Sequence, residues 1–408
     1  MGRLTGARCV DGRVPFGWFQ RPWYLLAVLS LLMGFASIST DFYLPAMPAM
    51  AMSLKVDDGA LAFTISGYLG GFSLGQLFWG PFSDRFGRRQ PVRAGIVLFT
   101  IGSIGCALSY SILSVVVWRV VQALGASAGV VLARAMVRDR YAGVQAARML
   151  SVLITVMAIA PLVGPLIGGH IAEWFGWRAI FLMLVLIGLT TLLALLPIPE
   201  TLAVEKRRHE SAIGAVRQYV ELLKDRRLLK YAGAGGFFYA AMFAYISGTP
   251  FAFIVYYRIP ASYYGFLFGA GIVGIMVTNI LNTRLVACLG VGRTLRVGTM
   301  LAAIMGIAVM VSSMLEWGGV WVLFITLFLF VSTTGLIIAN SISEAMEGFP
   351  HQAGAVSALV GALQYGSGIV GSSLVGLLAN GTPIPMGVVI AAMSIGSYLC
   401  MRIAVSRE

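Results

Sequence analysis

Stretches of about twenty apolar residues, repeated along nearly the whole chain, leave this protein very few folds. A helix needs roughly 20 such residues to cross the hydrocarbon of a bilayer, and it satisfies every backbone N–H and C=O there within one segment. Twelve stretches have the length: 23–48, 59–80, 92–109, 112–135, 147–171, 177–197, 231–254, 262–286, 295–314, 317–340, 353–378 and 383–402. The connections between them are short, apart from one. Of the 408 residues 59% are hydrophobic and 11% charged, and the mean hydropathy is +0.88, which no water-soluble globular domain matches. The expected class is an all-α integral membrane protein with twelve transmembrane helices.

Where the charges fall matters more than their sum of +13. Basic residues crowd alternate connections: Arg3, Arg8, Arg13 and Arg21 before the first span, then Arg85 to Arg93, Arg134 to Arg148, Lys206 to Lys230, Arg284 to Arg296, and finally Arg402 and Arg407. The opposite connections hold only Lys55, Arg178 and Arg258. This alternation places both termini on the cytoplasmic side, which requires an even number of spans and agrees with twelve. It also argues against nucleic acid as a partner. Ser341 to Gly354 departs from the pattern, with Glu344 and Glu347 but no Lys or Arg. The arginines ahead of the first apolar run have the look of a secretory signal. The run continues to Leu54 through Asp41, Pro45 and Pro48 without a small-residue cleavage site, so an uncleaved first span is expected. Cys9, Cys106, Cys288 and Cys400 lack metal-like spacing, and His170, His209 and His351 do not accompany them. No disulfide, metal site or cofactor is expected.

Composition changes abruptly between Pro197 and Lys230. The expected organisation is a cytoplasmic N-terminal segment (1–22), a six-helix bundle (23–197), a cytoplasmic linker (198–230), a second six-helix bundle (231–402) and a cytoplasmic tail (403–408). In the linker Ile213, Val216, Val220 and Leu223 recur at helical spacing, while Arg217, Glu221, Lys224 and Asp225 fall elsewhere. That pattern suits either an amphipathic helix along the membrane or a solvated linker.

Between the second and third spans lies Gly80-Pro81-Phe82-Ser83-Asp84-Arg85-Phe86-Gly87-Arg88-Arg89-Gln90-Pro91-Val92. Its glycines permit tight turns and its arginines cannot enter hydrocarbon, so a loop joining two helices at a water interface is expected. Gly80, Asp84, Arg85, Gly87 and Arg88 resemble the G-x-x-x-D-R-x-G-R-[KR] signature of the major facilitator superfamily. The resemblance implies two six-helix pseudo-repeat bundles with substrate handled between them. It also implies a cytoplasmic gate in which Asp84, Arg85 and Arg88 act as a clamp. A faint echo, Gly290-Val291-Gly292-Arg293-Thr294-Leu295-Arg296-Val297-Gly298, opens a later span at the offset that aligns Arg93 with Arg296 and Gly95 with Gly298. Ala287 then replaces Asp84, so the halves are expected to share shape but not chemistry.

Ionisable residues inside the spans are few. Asp41 is the only carboxylate well inside one, and an acid in an apolar wall can exchange a proton as its access to water changes. Asp41-Phe42-Tyr43-Leu44-Pro45-Ala46 resembles the first-helix signature D-x-Y-L-P-A of the Bcr/CflA drug-resistance branch. Arg119 cannot lose its proton, and a fixed positive charge nearby favours ionised Asp41. The R-x-x-Q-x-x-G spacing of Arg119, Gln122 and Gly125 resembles the superfamily's fourth-helix motif, which implies that role. Ala160-Pro161-Leu162-Val163-Gly164-Pro165-Leu166-Ile167-Gly168-Gly169 is close to the antiporter pattern G-x-x-x-G-P-x-x-G-G, with Ala160 in place of the first glycine. Pro161 and Pro165 invite bending, while Gly164, Gly168 and Gly169 allow close backbone approach. Export by antiport is what this resemblance implies. Gly67, Gly71 and Gly75 in the second span and Gly361 in the eleventh are expected as sliding contacts, because these helices face each other in the superfamily. Tyr43, Gln122, Tyr239, Phe243 and Tyr365 are the candidate substrate-binding residues.

With Trp177-Arg178-Ala179-Ile180-Phe181 and Pro199-Glu200-Thr201, these motifs occur in order along nearly the whole chain, which is similar to Bcr/CflA drug/proton antiporters of the bacterial inner membrane. The function this implies is proton-coupled efflux of small, lipophilic, neutral or monocationic compounds by alternating access. Export of an endogenous metabolite such as a sugar, amino acid or peptide is an alternative, and a channel or membrane sensor is a third. No nucleophile, metal or phosphate-binding motif points to an enzyme. The expected partners are a small-molecule substrate, protons and membrane lipid, with the protein a monomer.

Overall fold

The computed structural model describes residues 22–207, 212–349 and 352–402. The segments 1–21 and 403–408, with Arg3, Arg8, Cys9, Arg13, Arg21 and Arg407, lie outside the described residues, as do Arg208, His209, Glu210 and His351.

Among the described residues all regular structure is helical. α1 (Pro22–Asp41) and α2 (Met47–Leu54) make one interrupted span, followed by α3 (Asp58–Phe86), α4 (Arg89–Ala107), α5 (Ile112–Arg140), α6 (Gly143–Phe175) and α7 (Trp177–Leu195). The linker contributes α8 (Ala212–Leu222). The second half comprises α9 (Arg226–Pro250), α10 (Ala261–Leu289), α11 (Val291–Leu315), the pair α12 (Gly319–Ser332) and α13 (Thr334–Glu347) in one span, α14 (Ala353–Leu377) and α15 (Ile384–Arg402). Among the described residues eleven spans are long and apolar enough to cross a membrane. The twelfth is α3, 29 residues long, whose glycines, serines and Gln76 dilute its hydropathy.

Local chemistry sets several ends. Ser111 caps α5 by accepting from the Ser114 amide, and Asp225 caps α9 by accepting from that of Leu228. The helix ends at Gly87, Gly176 and Gly290 need positive φ, +89°, +79° and +81°. The expected loop from Gly80 is therefore much shorter than its glycines suggest: α3 runs on through Pro81 to Phe86, leaving Gly87 and Arg88 as the joint.

In the first half α5 packs against α3, α4 and α1, and α6 against α1; in the second α9 packs on α14 and α15, and α11 on α15. Between the halves α3 meets α14 and α6 meets α10. The helix ends bearing Arg85 to Arg89, Arg138, Arg140, Arg226, Arg227, Arg293 and Arg402 form a basic face, and Lys55, Arg178 and Arg258 lie toward the far face. Near the far face the halves touch backbone to backbone. A Cβ added to Gly59 would stand 2.3 Å from the Gly376 carbonyl oxygen, one on Gly169 2.7 Å from that of Ala261, and one on Gly265 2.7 Å from the Leu166 nitrogen. Toward the basic face α3 and α14 remain together, the Ser73 hydroxyl donating to the Ala362 carbonyl at 2.8 Å and Gln76 lying beside Gly361. The halves are thus in close backbone contact near the far face, and the glycine contacts between α6 and α10 do not extend toward the basic face beyond Leu162 and Gly269.

Gly67, Gly71 and Gly75 face α5 rather than α14. A Cβ on each would stand 3.0 Å from Val116 Cγ1, 2.2 Å from the Val120 carbonyl oxygen and 1.9 Å from Ser127 Oγ, respectively. Four-residue spacing marks one helix face without identifying its neighbour, and here that neighbour lies within the same half. Gly361 does face across the halves, toward Gln76. In the linker helix Tyr219 and Leu222 pack on the ends of α9, α13 and α14, whereas Val216 and Val220 point away from the protein.

Replacing Gly71 by Ala is expected to destabilise the protein by about 1–3 kcal/mol through overpacking. Replacing Gly80, whose added Cβ would meet nothing within 4 Å, is expected to shift stability by less than about 0.5 kcal/mol. Melting temperatures in detergent measure both, and an unchanged value for Gly71→Ala would show that α3 and α5 do not meet there.

Candidate functional site

The first span breaks where its sequence removes hydrogen bonds. Pro45 and Pro48 lack amide protons, so after Asp41 the chain passes through a turn and a short 3₁₀ segment (Leu44–Ala46) before α2 begins. Just before the break, Ser39 and Thr40 return their hydroxyls to the Phe35 and Ala36 carbonyls at 2.5 and 3.0 Å. Asp41 at the break is only 6% exposed, and its Oδ2 has no hydrogen-bond partner.

The glycines of α6 seat this break. A Cβ on Gly164 would lie 2.8 Å from Asp41 Cβ, and one on Gly168 2.1 Å from the Phe42 carbonyl oxygen, while Gly169 is turned toward Ala261 of α10. Pro161 and Pro165 sit inside α6, which continues through both. The antiporter-like motif is therefore the surface on which the acid rests. The 3₁₀ segment touches α9 and α10. Asp41 itself lies against Gly164 of α6, the helix that meets α10 of the second half. It stands at the seam between the halves.

Arg119 is wholly buried in the first half. Its Nη1 donates to the Ser39 carbonyl at 2.9 Å and to Gln122 Oε1 at 2.7 Å, and its guanidinium lies 4.8 and 4.3 Å from the ring centres of Tyr43 and Tyr68. Gln122 in turn donates to Ser103 Oγ at 2.7 Å, and the Tyr43 hydroxyl meets Thr64 Oγ1 at 2.5 Å. Arg119 makes no ion pair with Asp41; the two are linked through Ser39, two residues before the acid. A buried cation must be matched by acceptors and aromatic faces. Tyr43 and Gln122, expected in the cavity wall, are therefore committed to Arg119 inside the first half and have no exposed surface.

Tyr239, Phe243 and Tyr365 do come together. Tyr239 and Tyr365 have ring centres 5.4 Å apart, Tyr239 and Phe243 5.8 Å, and Phe243 and Tyr365 6.2 Å. Phe72 of α3 joins from the other half, 4.4 Å from Tyr365. Sequence reasoning missed Tyr68, Thr64 and Ser103, whose roles depend on Arg119 being nearby, and Tyr245 and Tyr264, which carry no motif.

At the basic face Arg88 is buried and pairs with Asp84 at 2.6 Å and with Asp139 of α5 at 2.8 Å. Arg85 is exposed over the Phe86 ring. Glu200 organises the joint. Its carboxylate accepts from the backbone amides of Arg88 (2.8 Å), Arg89 (3.1 Å), Thr201 (2.9 Å) and Leu202 (3.0 Å). Gly87 is required beside it, since a Cβ there would stand 2.6 Å from Glu200 Oε2. Burial alone would push the Glu200 carboxyl up, but the four amide donors hold it below the ordinary glutamate value. Ionised Glu200 therefore stabilises the fold at neutral pH, and this contribution is lost as the pH falls through the lowered pKa of the folded state. The melting-temperature difference between the wild type and Glu200→Gln is expected to be full at pH 7 and to close as the pH falls through and below the ordinary glutamate range. A difference independent of pH would remove Glu200 from this role.

A model of the Major Facilitator Superfamily matches residues 26–372. The uncharacterized MFS-type transporter YdgK of Bacillus subtilis is 35% identical over 90% of each chain. The bicyclomycin resistance protein homolog of Haemophilus influenzae is 30% identical over 94% of this chain and 96% of its own, and multidrug resistance protein D of Escherichia coli K12 is 28% identical over 93% and 95%. Among solved structures, a mutant of the nucleoside transporter NupG has the same fold, with a TM-score of 0.75 at 12% identity over 93% of this chain and 98% of that one. A seam between two helical halves, a charged joint after α3 and similarity over most of its length lead to one conclusion: this chain belongs to the Major Facilitator Superfamily.

Proposed function

We propose that the protein is a proton-coupled exporter of small, lipophilic, neutral or monocationic compounds, working by alternating access in the bacterial inner membrane with its basic face in the cytoplasm. The observation that carries this reading is Asp41, an acid with an unpartnered oxygen at a helix break on the seam between the halves. The relatives named for bicyclomycin and multidrug resistance support a drug-like cargo. The distribution of arginines supports the orientation.

In this reading cargo enters between α6 and α10 and meets Tyr239, Phe243 and Tyr365. When the halves rock, the far face opens and Asp41 takes up a proton from outside. On return, the positive charge of Arg119 beside Ser39 favours the ionised acid, and the proton leaves inward. Cargo out and proton in are thereby exclusive uses of one seam. The protein's own work is binding, gating and proton transfer, with no covalent bond made or broken in the cargo. One proton moving inward through 100 mV supplies about 2.3 kcal/mol, and each tenfold proton gradient adds about 1.4 kcal/mol, enough to concentrate a neutral compound more than tenfold. Asp84, Arg85 and Arg88, at the joint held by Glu200, are the clamp of this cycle: here Arg88 pairs with Asp84 and Asp139 within the first half, and closing the basic face brings that charged cluster against the second half.

Asp41→Asn is expected to abolish proton-driven accumulation in proteoliposomes while leaving insertion and melting temperature near wild type; accumulation at the wild-type level would eliminate Asp41 as the proton site. Asp84→Asn is expected to lower the turnover rate several-fold with little change in substrate affinity. An unaltered rate would count against the clamp.

A further inference from the structure

Glu200 binds the start of the linker to the joint after α3, and at its end Asp225 caps α9 while Arg227 pairs with Glu347 of α13 at 2.5 Å. A plain tether between two bundles needs no more. Between these points, however, α8 touches α3 of the first half as well as α14 of the second. Leu222, only 3% exposed, and Tyr219 enter an apolar cluster with Leu228 of α9, Ala345 of α13, Leu359 of α14 and Leu77 of α3. The seam beside α8 is itself bonded. Ser73 of α3 donates to the Ala362 carbonyl of α14 at 2.8 Å and, nearer the far face, Ser372 of α14 donates to the Ala62 carbonyl of α3 at 2.8 Å. A helical serine commonly returns its hydroxyl to the preceding turn of its own helix, as Ser103, Ser247 and Ser367 do here. Ser73 and Ser372 reach the other half instead. A Cβ on Gly361 would stand 2.3 Å from Gln76 Oε1, so α3 and α14 are still in close approach there, and Leu77, the next residue, brings α3 into the cluster that seats α8.

We propose that α8 is a strap across the α3–α14 seam: seated through Tyr219 and Leu222 it holds the halves together at the basic face, and they part there only when it leaves this seat. Apolar burial gives the seat its strength, because leaving it returns Leu222 to water. Val216 and Val220 point away from the protein and take no part. The strap acts on the separation of the halves, whatever the cargo and the direction of its transport.

The test uses the full chain with its four native cysteines replaced and spin labels carried by Phe86→Cys on α3 and Ser343→Cys on α13, both exposed positions. Pulsed electron resonance then reads the separation of the halves near the basic face. The wild type is expected to show mainly the shorter separation. Leu222→Ala is expected to raise the ratio of long to short separations about tenfold, through partial loss of a buried leucine contact, and Tyr219→Ala to shift it in the same direction. Val220→Ala, on the outward side of the same helix, leaves the ratio unchanged, and melting temperatures establish that each variant is folded. A protease site placed within 207–212, ahead of α8, distinguishes a strap from a tether. After cleavage the ratio is expected to stay at the wild-type value, since α8 still lies against both halves. An unchanged ratio in folded Leu222→Ala and Tyr219→Ala, an equal rise in Val220→Ala, or a cleaved chain that spreads as far as Leu222→Ala would each overturn the proposal.

Discussion

A charged group among apolar helices must be neutralised, paired or surrounded by hydrogen-bonding and aromatic partners, and the arrangement of this protein follows from how two such groups are treated. Arg119 receives two acceptors at Nη1 and two aromatic faces, all from the first half, while its Nε and Nη2 have no hydrogen-bond partner. Asp41 receives a backbone break, a glycine surface and no partner for one oxygen. The first treatment fixes a charge permanently. In the proposed cycle the second leaves a group whose protonation answers to whichever side supplies water.

The network around Arg119 also holds the break in place. Ser39 accepts from Arg119 through its carbonyl and shares its hydroxyl with Tyr68, and both contacts lie within one helical turn of Asp41. Gly164 and Gly168 of α6 then fix how closely that turn can be approached. A change at the cation or at the α6 surface is thus transmitted to the acid through a few short contacts. The second half meets the 3₁₀ segment that follows the acid through α9 and α10, and the proton chemistry of the proposed cycle remains with the first half.

Legibility in the sequence followed the range of each interaction. The twelve spans were readable because crossing hydrocarbon is a local requirement on twenty consecutive residues, and α3 was found despite its diluted hydropathy. The break after Asp41 could be anticipated from Pro45 and Pro48, because a missing amide proton acts within one turn. The glycine- and arginine-rich motif after the second span was legible as a joint, but its helical content was not, since Gly80 and Pro81 read as turn formers and yet continue α3. The neighbours of Gly67, Gly71 and Gly75 were misassigned for a different reason: a helix face is periodic in sequence, whereas the helix it meets is a property of the whole bundle. Glu200 was noticed only as part of a motif, and its grip on the Arg88 and Arg89 amides joins residues far apart in the chain.

Taken alone, the order of residues determined the membrane class, the number of spans, the basic face and the presence of a lone acid and a lone cation in the first bundle, because each depends on composition within a window or on charge at a helix end. Tertiary structure decided what those residues do to one another. It turned Tyr43 and Gln122 inward onto Arg119, kept Arg119 out of an ion pair with Asp41 and gathered Tyr239, Phe243 and Tyr365. Those outcomes depend on which helices pack together and how closely, and that is settled by side-chain volume and backbone approach between segments that no local pattern connects.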